Sequence, residues 1–172
     1  MLKPFVALCD GYVSVIRGIP VVVLLMVFYY IILVSSSGVT VAIITFGVNS
    51  GAYMAELIRG GLNAVDKGQM EAGRSLGMTR LQATVKVVFP QAARYVLPAV
   101  GNEFIALLKE TSVAGYVAVV DLTRAGNLVR NNTYDAVNTL LLVAIVYLAM
   151  VLLLTYLLKS LEKRLGNGGN GK

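Results

Sequence analysis

"MEAGRSLGMTRLQATVKVVFP", residues 70–90, lies in a chain of 172 residues of which 57% are hydrophobic, yet it carries Arg74, Arg80 and Lys86 beside a single acid, Glu71. Its local signals are those of a helix, a turn and a helix. Asp66 followed by Gln69 fits a capping box, in which Asp66 accepts from the first free backbone amides and Gln69 reaches back. Gly77 supplies the left-handed residue that ends a helix at little cost, and Thr79 caps a second short helix leading through Pro90 into the next apolar run. Ala72, Gly73 and Ser75 give the first helix a surface of small side chains, although glycine costs a helix about 1 kcal/mol relative to alanine. Such a surface fits close approach of a partner, with Met70 and Leu76 as apolar anchors in its groove. A plain interfacial loop whose basic residues touch lipid headgroups fits the charge equally well.

Around this segment the chain reads as membrane protein. Its mean hydropathy is +0.75, outside the range of soluble domains. No charged residue occurs from Gly18 to Ala55 or from Ala136 to Leu158, and one crossing needs about 20 apolar residues. "SSSG" at Ser35–Gly38 divides the first run into two expected spans, and the second run is one more. Ala92–Val120 is mostly apolar but holds Arg94, Glu103, Lys109 and Glu110, and reads as a span with buried charge. The fold class expected is therefore all-α and polytopic, with four transmembrane helices. Residues 1–17 read as a cytoplasmic amphipathic lead-in without a cleavable signal, residues 18–158 as the membrane domain with a cytoplasmic loop at 66–90, and residues 159–172 as a flexible cytoplasmic tail.

Basic residues in short loops stay on the cytoplasmic side. With four spans, every Lys and Arg except Lys109, Arg124 and Arg130 falls on the side that holds both termini and the 66–90 loop. The net charge of +6 thus follows from topology, and no motif supports a nucleic acid partner. Cys9 is the single cysteine and histidine is absent, so disulfide scaffolding, multi-cysteine metal sites and a recognisable catalytic constellation are excluded. "GNGGNGK" at Gly166–Lys172 has the glycine spacing of a phosphate loop, but the chain stops before the required Ser or Thr, with no strand before it and no helix after. It reads as a tail, so neither a catalytic residue, a metal nor a cofactor is assigned to this chain.

Charge inside a span costs roughly 2.5 to 3.5 kcal/mol per residue and marks an internal pathway by default. In "NEFIALLKETS", Glu103 and Glu110 lie seven apart and share a helical face, Lys109 is displaced by one position, and Asn102, Thr111 and Ser112 add neutral polar groups. A zwitterionic solute needs an anion for its ammonium and a cation or amide donors for its carboxylate, and this segment offers both. Pairing of Glu103 and Lys109 within the helix, or across to a second subunit, is the alternative. Gly47 and Gly51 form a glycine, three residues, glycine pattern that admits close helix packing, with Asn49 and Ser50 placed to bond across it. Glu56 is expected to pair with Arg59 near the end of its span.

The motifs resemble those of one family. Glu71, Ala72 and Gly73, three residues, Gly77, nine residues, then Val87, Val88, Phe89 and Pro90 are similar to the EAA loop of bacterial ABC importer permeases. That pattern is Glu-Ala-Ala, three residues, Gly, nine residues, Ile, any residue, Leu, Pro. Gly73, Val87 and Phe89 are the departures. "RGIPVVVLLMVFYY" at Arg17–Tyr30, "GAYMAELIRGGLNAVDKGQMEAGRSLG" at Gly51–Gly77 and "NEFIALLKETSVAGYVAVVDLTRAG" at Asn102–Gly126 resemble signatures of its polar amino acid branch, in order over nearly the whole chain. The family core usually has five helices, so the first is expected to be missing here.

The resemblance implies a type I importer permease in the bacterial inner membrane. Two permease subunits, as a homo- or heterodimer, form the pathway. Each inserts its coupling helix, here Glu71, Ala72, Gly73 and Gly77, into an ATP-binding subunit of a separate dimer that holds ATP and magnesium. An extracytoplasmic amino acid binding protein delivers the solute, and membrane lipid surrounds the rest. An EAA-class permease for a different small solute, or a membrane scaffold that carries none, are the other readings.

Overall fold

The structure, a computed structural model, describes residues 2–166. The phosphate-loop-like stretch lies almost wholly outside them. All the described regular elements are helical: α1 (Leu2–Gly18), α2 (Val21–Val27) continuing into a π turn (Phe28–Ile32), α3 (Gly38–Asn63), α4 (Lys67–Ser75), α5 (Arg80–Ala83) with a second π turn (Thr84–Val88), α6 (Phe89–Glu110), a 3-10 turn (Thr111–Val117), α7 (Leu122–Thr133) and α8 (Ala136–Gly166).

The four expected crossings are not four full-length apolar helices. Among the described residues, α3 and α8 are long and apolar enough to cross, and α1 with the α2 segment adds a third only as one span broken by 106°. These shapes have local causes. Pro20 and the π turn leave Val21–Ile32 short, about 18 Å at 1.5 Å per residue, whereas the hydrocarbon core is about 30 Å thick. The α6 helix, at 22 residues, is long enough, but Arg94, Glu103, Lys109 and Glu110 keep it from being apolar. The "SSSG" turn does start a helix: Ser37 caps α3 by accepting from the Thr40 amide at 3.2 Å.

The α1 helix, placed by the sequence before the first span, lies against α3. Tyr12 donates its hydroxyl to the Val48 carbonyl at 2.6 Å, Arg17 reaches Glu56 at 3.3 Å, and Arg59 reaches Asp10 at 3.6 Å. The expected Glu56–Arg59 pair forms at 2.5 Å. None of α1's described side chains is fully buried.

The core is narrow. Leu25 of α2, Val41, Ala42 and Phe46 of α3, and Ala114 and Val117 of the 3-10 turn form one cluster. Val65, Val88 and Ala92, with Met70 against them, form another beneath α4. Elsewhere large apolar side chains face outward, as on α8 with Leu141, Leu148 and Leu152. Surfaces of this kind require lipid or a partner. The α8 helix also runs past Leu158 to Gly166, so the expected boundary before the tail falls inside a helix.

Candidate coupling surface and solute pathway

The local signals of the 66–90 segment are realised with one exchange. Asp66 caps α4, its carboxylate accepting from the Gly68 amide at 2.7 Å. Gln69 does not reach back to it; its side-chain oxygen instead accepts from Gln91 Nε2 at 3.0 Å. The full capping box forms one helix later, where Thr79 Oγ1 accepts from the Gln82 amide at 3.2 Å and Gln82 Oε1 accepts from the Thr79 amide at 2.9 Å. Gly77 takes φ +85°. Met78 N–H then bonds the Gly73 carbonyl at 3.2 Å and Gly77 N–H the Arg74 carbonyl at 3.0 Å, which is the Schellman closure.

The two faces of α4 differ. Met70 turns inward onto Val65, Val88 and Ala92, so it is not an anchor for a partner. Gly73 is also buried. A Cβ there would come within 3.1 Å of Ala83 Cβ and 3.6 Å of Val87. Gly73 therefore cannot belong to the outer contact surface with Glu71, Ala72 and Gly77; it is where α4 beds onto α5 and the π turn. Glu71, Ala72, Ser75 and Gly77 are exposed, and Leu76 is 81% exposed. The exposed residues of this stretch are thus small ones with one acid, Glu71, one base, Arg74, and one leucine.

The far end of α6 is built differently. Glu110 accepts a hydrogen bond from Asn49 Nδ2 at 3.2 Å, 61 residues away in sequence. Asn49 is 2% exposed, and Thr45, one turn earlier on α3, is fully buried with a hydroxyl that has no hydrogen-bond partner among the described residues. Lys109 and Ser112 line a cleft of about 290 Å³ with Thr123 and Tyr147. Ser112 also lines a neighbouring cleft of about 300 Å³ with Tyr116, Asp121, Arg124 and Asn127. Asp121 caps α7, accepting from the Arg124 amide at 2.6 Å, while the Arg124 guanidinium donates to the Gly115 carbonyl at 2.7 Å.

The structure thus brings Lys109 and Ser112 to one cleft and turns Glu110 to Asn49 instead. Thr111 spends its hydroxyl on the Leu108 carbonyl at 2.7 Å, and Asn102 and Glu103 lie two turns away, Asn102 exposed and Glu103 half-buried. Asp121, Thr123, Arg124 and Tyr147 were not foreseen; "DLTR", an Asx cap with a basic residue three positions on, was the available signal. The glycine pattern on α3 is half used: a Cβ on Gly51 would come within 3.1 Å of the Tyr12 hydroxyl, while Gly47 faces open space.

With that geometry fixed, comparison with known proteins is decisive. Residues 3–167 match the family model described as the binding-protein-dependent transport system inner membrane component. The chain belongs to this permease family. Relatives include a probable glutamine ABC transporter permease protein, GlnM, of Bacillus subtilis (strain 168), 36% identical over 168 residues, covering 96% of this chain and 78% of that protein. The glutamine transport system permease protein GlnP of Escherichia coli (strain K12) is 36% identical, covering 90% and 73%. The arginine transport system permease protein ArtQ of Bacillus subtilis (strain 168) is 34% identical, covering 95% and 76%. Among solved structures, the permease chain is similar to the crystal structure of an amino acid ABC transporter with histidines, at TM-score 0.88 and 38% identity over 95% of this chain and 78% of that one. A methionine ABC transporter, MetNI, shares the fold at TM-score 0.78 and 22% identity, covering 94% and 76%.

Proposed function

We propose that this permease is the membrane subunit of an ATP-driven importer of polar amino acids. The solute class is supported by relatives named for glutamine and arginine and by the amino acid transporter structure. In this reading α4 docks, through Glu71, Ala72 and Gly77, in a separate ATP-binding subunit that holds ATP and magnesium. The loop carrying α4 and both chain ends face the cytoplasm of a bacterial cell, a second permease subunit completes the pathway, and an extracytoplasmic binding protein delivers the solute. The observation that carries the docking reading is the exposed surface of α4, rigidly capped at Asp66 and Gly77 between two membrane segments.

The pathway reading places Glu110, held by Asn49, as the anion for the solute's ammonium, with Lys109 and Ser112 beside the clefts for its carboxylate. Lys109 and Ser112 line one cleft, with Glu110 the neighbour of Lys109 in sequence, and a few polar groups at a concave site are what a small polar ligand needs. The chain moves the solute and performs no chemistry on it.

The test is uptake of labelled L-glutamine and L-arginine by proteoliposomes holding the permease with its ATP-binding subunit and binding protein. Uptake of either, and its loss by at least roughly tenfold in Glu71→Lys with the complex still assembled, is expected, since a reversed charge opposes a complementary interface. Undiminished uptake in Glu71→Lys ends the docking reading. Failure of both amino acids, with uptake of an unrelated solute, transfers the protein to the other EAA-class importers.

A further inference from the structure

The chain between α4 and α6 contains a weak joint. Phe89 N–H bonds back to the Thr84 carbonyl, five residues earlier, closing the π turn at Thr84–Val88. Pro90, the next residue, has no N–H to return to that turn. A π turn followed by proline is where a helix bends most readily. A displacement of α4 carried only along the backbone would be absorbed there before reaching α6.

One side chain bypasses the joint. Gln91, the first residue beyond Pro90, donates from Nε2 to the Val87 carbonyl at 3.1 Å, inside the π turn, and also to Gln69 Oε1 at 3.0 Å, on α4. The two hydrogens of one amide nitrogen thus tie α4, the π turn and α6 together. The orientation is fixed chemically, because a backbone carbonyl only accepts. Gln91 must present its nitrogen, and Gln69 must answer with its oxygen. Nearby, Met70 is seated on Val88 and Ala92, and Gly73 on Ala83 and Val87, so α4 lies close enough for the tie to hold.

We propose that Gln91, through Gln69, is a positioning residue that couples movement of α4 to α6, and so passes ATPase closure on to the solute end of α6. This rests on the docking reading above. It predicts an asymmetry that packing alone does not. Gln69→Glu keeps an acceptor oxygen for Gln91, whereas Gln91→Glu sets a carboxylate against the Val87 carbonyl and severs both bonds.

The experiment measures amino acid moved per ATP hydrolysed in proteoliposomes, with L-glutamine and L-arginine as probes, together with assembly of the complex by size exclusion. Gln69→Leu and Gln91→Glu are expected to lower the ratio about fivefold, the factor one hydrogen bond of ordinary net strength is worth, while the complex still assembles. Gln69→Glu is expected to retain the wild-type ratio. If Gln91→Glu does not assemble, Gln69→Leu against Gln69→Glu decides. An unchanged ratio in Gln69→Leu, or equal loss in Gln69→Glu and Gln69→Leu, overturns the proposal. Failure of the docking reading shows itself separately, as absence of ATP-binding subunit from the wild-type complex.

Discussion

The two ends of α6 (Phe89–Glu110) are made to opposite rules. At the α4 end, glycine meets alanine at near contact and a methionine fills the residual space; a glutamine pair closes the gap. At the other end, a half-buried carboxylate has an asparagine for company, a buried threonine hydroxyl lacks a partner among the described residues, and two clefts stand open. Close packing transmits displacement because interiors compress little. Polar groups left incompletely satisfied cost stability and persist where something has to be bound. One end suits transmission and the other recognition.

That contrast is most easily broken at Gly73. Gly73→Leu forces a large side chain against Ala83 and is expected to destabilise by about 2 kcal/mol or more, read as a lowered midpoint of the helical circular dichroism melt in detergent. An unchanged midpoint would mean that α4 is loosely seated. Gly77→Val, at φ +85°, is expected to cost about 1 to 2 kcal/mol by the strain of a β-branched residue in the left-handed region. Removing the donor at the solute end, Asn49→Leu, leaves Glu110 without its amide and is expected to cost about 1 kcal/mol or more. The same variant should weaken uptake of both probe amino acids. The smallest effect should have the opposite sign. Thr45→Val deletes an unpartnered buried hydroxyl at nearly constant shape and is expected to raise stability by up to about 1 kcal/mol; a clear fall would mean that the hydroxyl has a partner in the working complex.

What was legible in the sequence was what neighbours in the chain decide. Asp66, Gly77 and Thr79 cap and close their helices as short-range rules require, and Glu56 finds Arg59 three residues on. The family motif gave the surface of α4 but not its facing. Which side Gly73 turns to depends on Ala83 and Val87, across a turn whose geometry only the folded segment defines. The same limit hid the Gln69–Gln91 tie, 22 residues apart, and Asn49 with Glu110. The shapes of the expected spans were hidden for a related reason. Hydropathy sees an uncharged run at Gly18–Ala55, while Pro20 and the π turn keep the helix in its first part short, and α1 meets that helix at a bend of 106°.

The α8 helix (Ala136–Gly166) has a consequence of its own. Its 31 residues extend about 46 Å at 1.5 Å per residue, against a hydrocarbon layer of about 30 Å. The uncharged stretch Ala136–Leu158 is itself slightly longer than that layer, and Asp135 and Lys159 stand at its two limits. Leucines face outward over much of its surface. A hydrophobic stretch longer than the layer accommodates by tilting, so in a thinner membrane this helix is expected to lean further, against the α6 and α7 that pack on it.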